Sequence, residues 1–192
     1  MGNLRMLDLD KIALAGAALD NGALDSIEAA FAHPSAVPNK PDTSDLYESG
    51  PVPHPTRKKL AVVTCMDARI DPLAFAQLPL EVGDAHIIRN AGGRAADAVR
   101  SLIASQRLLG TRIIYVIHHT DCGMASFRDE ELRRILGGGA MVETMAFLPF
   151  CNYQQAVIDD VQFLRDHPLI MSERVRGYIY DVVTGSLTEV KV

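Results

Sequence analysis

The chain has 192 residues, of which 48% are hydrophobic, and its formal net charge is −5. This length allows one domain with a substantial buried core. No Lys/Arg-rich block offsets the acidic balance, so the sequence predicts no nucleic-acid partner. No apolar stretch is long enough to span a bilayer and the first residues do not resemble a secretory signal, so no membrane association is predicted. The odd number of cysteines, three, argues against a disulfide framework and favours a cytoplasmic location.

The first 59 residues differ in pattern from the rest. Apolar positions between residues 8 and 32 recur at helical spacing, with a break at Asn21-Gly22, and predict two helices. The stretch from Pro34 to Pro55 contains six of the ten prolines and no periodicity, which predicts an extended loop. We therefore expect residues 1–59 to form a helical arm with a Pro-rich segment. Its apolar face is larger than this short segment can cover, so we expect it to pack on a partner subunit.

From Leu60 onward, short β-branched apolar runs alternate with helical patterns. The predicted strands cover residues 60–64, 85–88, 113–117 and 175–183. The predicted helices cover residues 95–109, 129–136 and 154–166. Gly110 is expected to end the first of these helices and Gly137 the second. Alternating strands and helices indicate the α/β class, with a central, mainly parallel β-sheet flanked by helices over residues 60–192.

Metal-binding residue types directly follow two of the predicted strands. Cys65 follows the strand over residues 60–64, and His119 and Cys122 follow the strand over 113–117. Ligands of open parallel sheets bind at the carboxyl ends of the strands, so these side chains converge if the two strands are neighbours. Thiolates and imidazole suit Zn²⁺, and three protein ligands leave a fourth position open, as in a catalytic zinc site. The sequence thus predicts a zinc site.

Two further residues near this site have simpler interpretations. The three-residue step to Cys122 favours His119 as the ligand, so His118 is interpreted as a packed or supporting neighbour. Cys151 has no metal-binding residue types around it, and a lone cysteine usually behaves as a small buried hydrophobe. We therefore expect Cys151 to lie in the core.

Charged and small residues surround the predicted ligands. Asp67 follows the first cysteine closely enough to orient a water on the metal, and Arg69 can hold its carboxylate through two hydrogen bonds. Arg89 and Arg94 are interpreted as supports for loops or for a subunit interface. Gly92-Gly93 is expected to allow a close backbone approach near the metal.

Taken in order, three motifs resemble the β-class carbonic anhydrase family over residues 60–190. They are Cys65-Met-Asp67-Ala-Arg69, Arg89-Asn-Ala-Gly-Gly93 and His119-Thr-Asp-Cys122. The nearest likeness is to small members with His-Thr-Asp-Cys-Gly-Met, a group that also includes carbonyl sulfide hydrolases. The resemblance implies a β-carbonic anhydrase-like fold that assembles as a homodimer or a dimer of dimers.

The same resemblance implies an activity and a catalytic pair. The activity is the reversible hydration of carbon dioxide to bicarbonate by a zinc-bound hydroxide, with Asp67 and Arg69 as the catalytic dyad. The resemblance also implies that Asp67 becomes a fourth zinc ligand when its pair with Arg69 breaks, which gives a closed and inactive site.

Three alternatives remain open at this point. The first is hydrolysis of carbonyl sulfide at the same zinc site, which releases hydrogen sulfide. Selectivity between the two substrates would depend on pocket side chains, from residues 147–150 or from a partner subunit. The second is a non-catalytic zinc-binding protein with Asp67 as a permanent ligand, but that interpretation gives Arg69 no task. The third, a thiol-redox role, is weaker because the chain has no Cys-x-x-Cys pair.

The rate of carbon dioxide hydration is expected to rise with pH and to level off on the alkaline side. Two thiolates neutralise the zinc charge, so zinc-bound water should be less acidic than on a three-histidine zinc, where its pKa is about 7. Closure of Asp67 onto zinc at low pH would act in the same direction. Stopped-flow initial rates from mildly acidic to alkaline pH measure this profile. A flat or falling curve would exclude zinc hydroxide as the nucleophile.

Overall fold

The computed structural model describes residues 55–75, 77–171 and 174–192. The predicted N-terminal helices, and all of the Pro-rich segment before Pro55, lie outside the described residues. The division of the chain at residue 59 therefore stays a prediction. Among the described residues, no helix has the length and apolar character needed to cross a membrane.

A five-stranded sheet forms the centre of the described region, with the strand order β4-β1-β5-β6-β7. Its strands are β1 (Leu60–Cys65), β4 (Ala85–Asn90), β5 (Ile113–His119), β6 (Arg174–Tyr180) and β7 (Leu187–Val190), and a separate two-stranded hairpin consists of β2 (Ala74–Phe75) and β3 (Leu78–Pro79). The first four strands of the sheet are parallel and β7 is antiparallel. All six residues of β1 are buried, as expected for a central strand covered on both faces. The predicted α/β fold is confirmed.

In the described part of the chain, four α-helices and two 3₁₀ turns connect the strands. The helices are α1 (Ala95–Arg107), α2 (Asp129–Ile135), α3 (Ala140–Thr144) and α4 (Tyr153–Asp166), and the 3₁₀ turns are Ala91–Gly93 and Gly123–Ala125. Alternate residues of β1 enter different hydrophobic clusters, because side chains alternate across a strand. Ala61 and Val63 pack in the cluster that contains α1 and α4 residues, whereas Leu60 and Val62 pack with Phe75 from the hairpin.

The close contact between α4 and β6 depends on a glycine. A Cβ atom at Gly177 would overlap the side chain of Val157 on α4. Val157 and Val161 are both fully buried at this contact. The absence of a side chain at Gly177 therefore lets the helix lie directly on the sheet.

The C-terminal strand differs from its prediction. The predicted strand over residues 175–183 ends at Tyr180, and the chain turns back to form β7. The Asp181 carboxylate accepts hydrogen bonds from the backbone N–H groups of Val183 and Thr184, at 2.9 and 2.8 Å. These bonds hold a turn in place of the strand. The helix α1 also ends two residues earlier than expected, and α3 and the β2–β3 hairpin were not predicted.

Candidate metal centre

The three predicted zinc ligands lie together at the carboxyl ends of two adjacent strands. The strands β1 and β5 are parallel neighbours, so Cys65 at the end of β1 lies beside His119 at the end of β5. Cys122 follows three residues later, and its Sγ atom is 4.0 Å from that of Cys65. The potential ligand atoms of all three buried residues lie within 4.8 Å of one another. The convergence expected from the sheet topology is confirmed.

The hydrogen bonding of His119 prepares one ring nitrogen for a metal. Its Nδ1 lies 2.9 Å from the Thr120 carbonyl oxygen, and only a protonated Nδ1 can donate to a carbonyl. The neutral ring then carries its lone pair on Nε2, which is buried and has no hydrogen-bond partner among the described residues. An unpaired buried nitrogen is costly unless a metal accepts its lone pair. Two thiols beside such a nitrogen are a donor set that fits zinc.

The two thiols influence each other strongly. The hydrogen bond from Cys122 lowers the pKa of the Cys65 thiol to about 4. The hydrogen bond to Cys65, together with burial, raises the pKa of the Cys122 thiol. The two sulfur atoms lie 4.0 Å apart. A dication at the centre would bind both sulfur atoms as thiolates, because metal coordination deprotonates a thiol.

Gly93 brings a loop against the end of β1. Its φ of +69° lies in the left-handed region, and a Cβ there would come within 3.0 Å of the Cys65 nitrogen and the Thr64 carbonyl carbon. Both the backbone conformation and the lack of space therefore favour glycine. The close backbone approach predicted for Gly92-Gly93 is confirmed for Gly93, whereas Gly92 lies against the side chains of Met124 and Phe150.

Asp67 and Arg69 form a bidentate pair next to the ligand triangle. The Arg69 Nε donates to Asp67 Oδ1 at 2.9 Å, and Nη2 donates to Oδ2 at 2.7 Å. The Arg69 backbone N–H also donates to Oδ1, at 2.9 Å. Hydrogen bonds from Arg69 hold the pKa of the Asp67 carboxyl well below its usual range. Asp67 Oδ2 lies 3.9 Å from His119 Nε2, so this carboxylate borders the metal-binding atoms.

Two arginines support the surrounding backbone, as predicted. Arg89 donates to the Cys65 carbonyl at 3.1 Å and to the Asp67 carbonyl at 2.6 Å, and so fixes the loop that begins at Cys65. Arg94 donates to the buried Asp160 carboxylate at 3.0 Å. The same carboxylate accepts from the backbone N–H of Ala95, the first residue of α1, at 3.2 Å. Arg94 and Asp160 therefore connect α4 to the start of α1.

His118 faces away from the triangle and is fully buried. Its Nε2 lies 3.1 Å from Asp160 Oδ2, and its ring stacks on Phe150 with the ring centroids 5.4 Å apart. Among the described residues, His118 is not a member of the group that could hold a metal. Its interpretation as a packed neighbour is confirmed.

The prediction for Cys151 is wrong, because this residue is exposed. The preceding Phe150 occupies the buried position and is only 8% exposed. The following Asn152 caps α4 by accepting from the backbone N–H groups of Gln154 and Gln155. The chain turns between these two residues, and the turn directs Cys151 to the surface.

One residue at the site was missed from the sequence. Asp121, which lies between His119 and Cys122, accepts a hydrogen bond from Arg69 Nη1 at 2.7 Å through Oδ2. Its backbone φ is +55°. Its place inside the His-x-x-Cys step was the only available signal, and an exposed aspartate in a loop is not unusual by itself.

The fold and the site together define a class of protein: an α/β zinc protein with a thiolate–imidazole–thiolate site at the carboxyl end of a mainly parallel sheet. A family model described as carbonic anhydrase matches residues 60–138. The chain is 43% identical over 149 residues to β-carbonic anhydrase 1 of Mycobacterium tuberculosis, covering 73% of this chain and 87% of that protein. The chain therefore belongs to the β-carbonic anhydrase family.

Two other similarities extend this result. A solved carbonic anhydrase from Glaciozyma antarctica superimposes with a TM-score of 0.68 at 43% identity, covering 82% of this chain and 98% of that one. A carbon disulfide hydrolase from Acidianus is 34% identical over 160 residues, covering 69% of this chain and 78% of that protein. The relatives thus include enzymes named for two different small substrates.

Proposed function

We propose that this protein catalyses the zinc-dependent, reversible hydration of carbon dioxide to bicarbonate. The observation that carries the proposal is the buried triangle of Cys65, His119 and Cys122 beside the Asp67–Arg69 pair. Three protein ligands leave one zinc position for water or substrate. A zinc ion held there would acidify a coordinated water and supply the nucleophile for the carbon of carbon dioxide.

The protein's own residues would prepare the site for that reaction. The Thr120 carbonyl fixes the His119 tautomer and orients its ring toward the two thiols. Arg89 holds the carbonyl groups of Cys65 and Asp67, and so fixes the loop that carries the first ligand and the carboxylate. A site positioned this closely needs little reorganisation during turnover.

We assign to Asp67 the orientation of the reacting water, through a hydrogen bond that its carboxylate accepts. Because Arg69 keeps the pKa of this carboxyl low, it stays anionic at neutral pH and can accept a hydrogen bond but not donate one. Arg69 occupies both carboxylate oxygens and holds them away from the ligand atoms. This pairing favours the catalytic interpretation. In a permanently closed, non-catalytic zinc site, Asp67 would bind the metal and would not pair with Arg69.

Hydrolysis of a sulfur analogue of carbon dioxide is the second candidate function. The similarity to carbon disulfide hydrolases favours it, and carbonyl sulfide is the related substrate that combines one oxygen and one sulfur. All three molecules are small and linear, and the same nucleophile would attack the central carbon of each. The zinc ligands therefore do not distinguish among them.

Parallel assays of the purified zinc protein separate the two functions. Stopped-flow indicator measurements follow carbon dioxide hydration, and sulfide release is measured with carbonyl sulfide and with carbon disulfide. We expect hydration to be the fastest reaction by kcat/KM. Faster sulfide release from either sulfur compound would assign the protein to the second function, and no reaction in a protein with one zinc per chain would contradict both.

We also propose that the chain assembles as a homodimer or a dimer of dimers. The apolar helical pattern of the N-terminal residues supports this assembly, because a partner chain would cover it. Sedimentation velocity at micromolar concentration should therefore detect no monomer. Ile27→Glu, which places a charge in the apolar pattern, should shift the distribution toward monomer by weakening the interface, whereas Glu28→Gln should not. A wild-type monomer would refute the assembly.

A cytoplasmic location remains a proposal. It is supported by the three free cysteines, since thiols that are unpaired and bind metal suit a reducing compartment. Fractionation of the source cells, with the protein followed by antibody, would test it.

A further inference from the structure

Asp121 holds an arginine of the site through two different groups. Its carboxylate Oδ2 accepts from Arg69 Nη1 at 2.7 Å, and its backbone carbonyl accepts from Arg69 Nη2 at 2.9 Å. The left-handed backbone of Asp121, with φ +55°, is uncommon for a residue other than glycine. In this conformation both acceptors of a single residue bind one guanidinium group.

The Arg69 guanidinium therefore joins the two loops that carry the ligands. Its Nε and Nη2 donate to Asp67, on the loop that begins at Cys65, while Nη1 and Nη2 donate to Asp121, between His119 and Cys122. All three nitrogen atoms of the group are thus engaged.

The contact with Asp121 gives the Asp67–Arg69 pair a connection to the second ligand loop. Arg89 fixes the backbone of the loop that carries both residues, but an ion pair within one loop leaves the two side chains able to move together. The Arg69 side chain is 47% exposed, so packing does little to hold it in place. Asp67 Oδ2 already lies 3.9 Å from His119 Nε2, so a modest displacement would bring it to the metal-binding atoms.

We propose that Asp121 is a positioning residue that anchors Arg69 to the loop of His119 and Cys122, and thereby keeps the Asp67 carboxylate away from the metal. The effect on turnover rests on the proposed function, whereas the anchoring does not. Loss of the Asp121 carboxylate would increase the fraction of molecules in which Asp67 occupies the metal. Such molecules do not turn over, so kcat should fall while the KM of the remaining molecules stays unchanged.

Two variants test the anchor without disturbing the backbone. Asp121→Gly removes the carboxylate and suits the positive φ, and Asp121→Asn keeps one oxygen acceptor and also tolerates that conformation. Asp166→Asn, at an exposed position on α4, is the control for the loss of one negative charge. Each zinc-loaded protein is measured for zinc content, for kcat and KM of hydration, and for hydrogen exchange of the Arg69 Nε–H by ¹⁵N NMR.

We expect Asp121→Gly to accelerate exchange of the Arg69 Nε–H by about three- to fivefold, the upper part of the range for loss of an exposed ion pair. The kcat should fall by a similar factor, with unchanged KM and zinc content. Asp121→Asn should show a smaller change and Asp166→Asn none. In an Arg69→Ala background, Asp121→Gly should have no further effect on kcat, because the residue it anchors is gone.

Unchanged exchange in Asp121→Gly would overturn the anchor, and so would loss of zinc, which would mean that Asp121 builds the ligand loop itself. An equal fall of kcat with and without Arg69 would also overturn it. If the wild-type protein hydrates no carbon dioxide, the proposed function fails, but the exchange rate still tests the anchor.

Discussion

Cys122→Ser is expected to remove most of the bound zinc and to lower the rate of carbon dioxide hydration by more than about a hundredfold. Removing a group that only hydrogen-bonds to a metal ligand typically lowers metal affinity or activity by about 10–100-fold. Cys122 would itself supply one of only three direct bonds from the protein to the metal, so its loss should cost more. A serine hydroxyl keeps the size of the side chain but is a poor ligand for zinc at neutral pH. Cys65→Ser and His119→Ala should have the same effect, because the three ligand atoms surround one point.

Cys151→Ser is the matched control for the cysteine variants. Cys151 is a free and exposed cysteine, so this change should leave zinc content and rate at wild-type values. Zinc is measured by mass spectrometry of the purified proteins and hydration by stopped flow. A Cys122→Ser protein with full zinc and the wild-type rate would rule out the proposed metal centre.

Asp67→Asn is expected to lower kcat by about a hundredfold while zinc is retained, the size of effect that follows from misplacement of a reacting group. Asparagine keeps the shape of the side chain but loses the charge and one of the two oxygen atoms with which Asp67 accepts hydrogen bonds. Arg69→Ala should also lower kcat, because it frees Asp67 to approach the metal. The Asp67 carboxylate already lies close, with Oδ2 3.9 Å from His119 Nε2. The fall should be larger near neutral pH than at alkaline pH, where Asp67 competes less well with hydroxide for the metal.

The double variant Asp67→Asn/Arg69→Ala distinguishes these roles. If Arg69 acts only through Asp67, the double variant should have the same kcat as Asp67→Asn alone. A further fall would mean that Arg69 contributes directly. Full activity of both single variants from neutral to alkaline pH would show that the pair has no catalytic part.

The sequence by itself determined the sheet that carries the site and the three residues at its edge. The apolar runs that begin at Leu60 and Ile113 could be recognised as strands because burial on both faces of a parallel sheet leaves a continuous hydrophobic signal. Cys65 and His119 end these strands, and ligands gather at the carboxyl ends of parallel strands, so the sequence alone places these two residues together. The fold class and the metal centre were therefore predictable from local pattern and topology.

Only the tertiary structure decided the contacts between distant loops. Asp121 and Arg69 are 52 positions apart in the sequence. Both are exposed charged residues in loops, and no sequence pattern indicates that two such residues form a hydrogen bond. The exposure of Cys151 was also not predictable, because a hydrophobic residue is expected in the core. The chain turns at Cys151 so that Asn152 can cap α4, and this turn places Cys151 at the surface. The end of β6 at Tyr180 depends on the Asp181 carboxylate, which accepts from the backbone N–H groups of Val183 and Thr184, and these bonds compete with strand pairing. Each of these features depends on where a polar group finds its hydrogen-bond partner, and that is settled only when the elements pack.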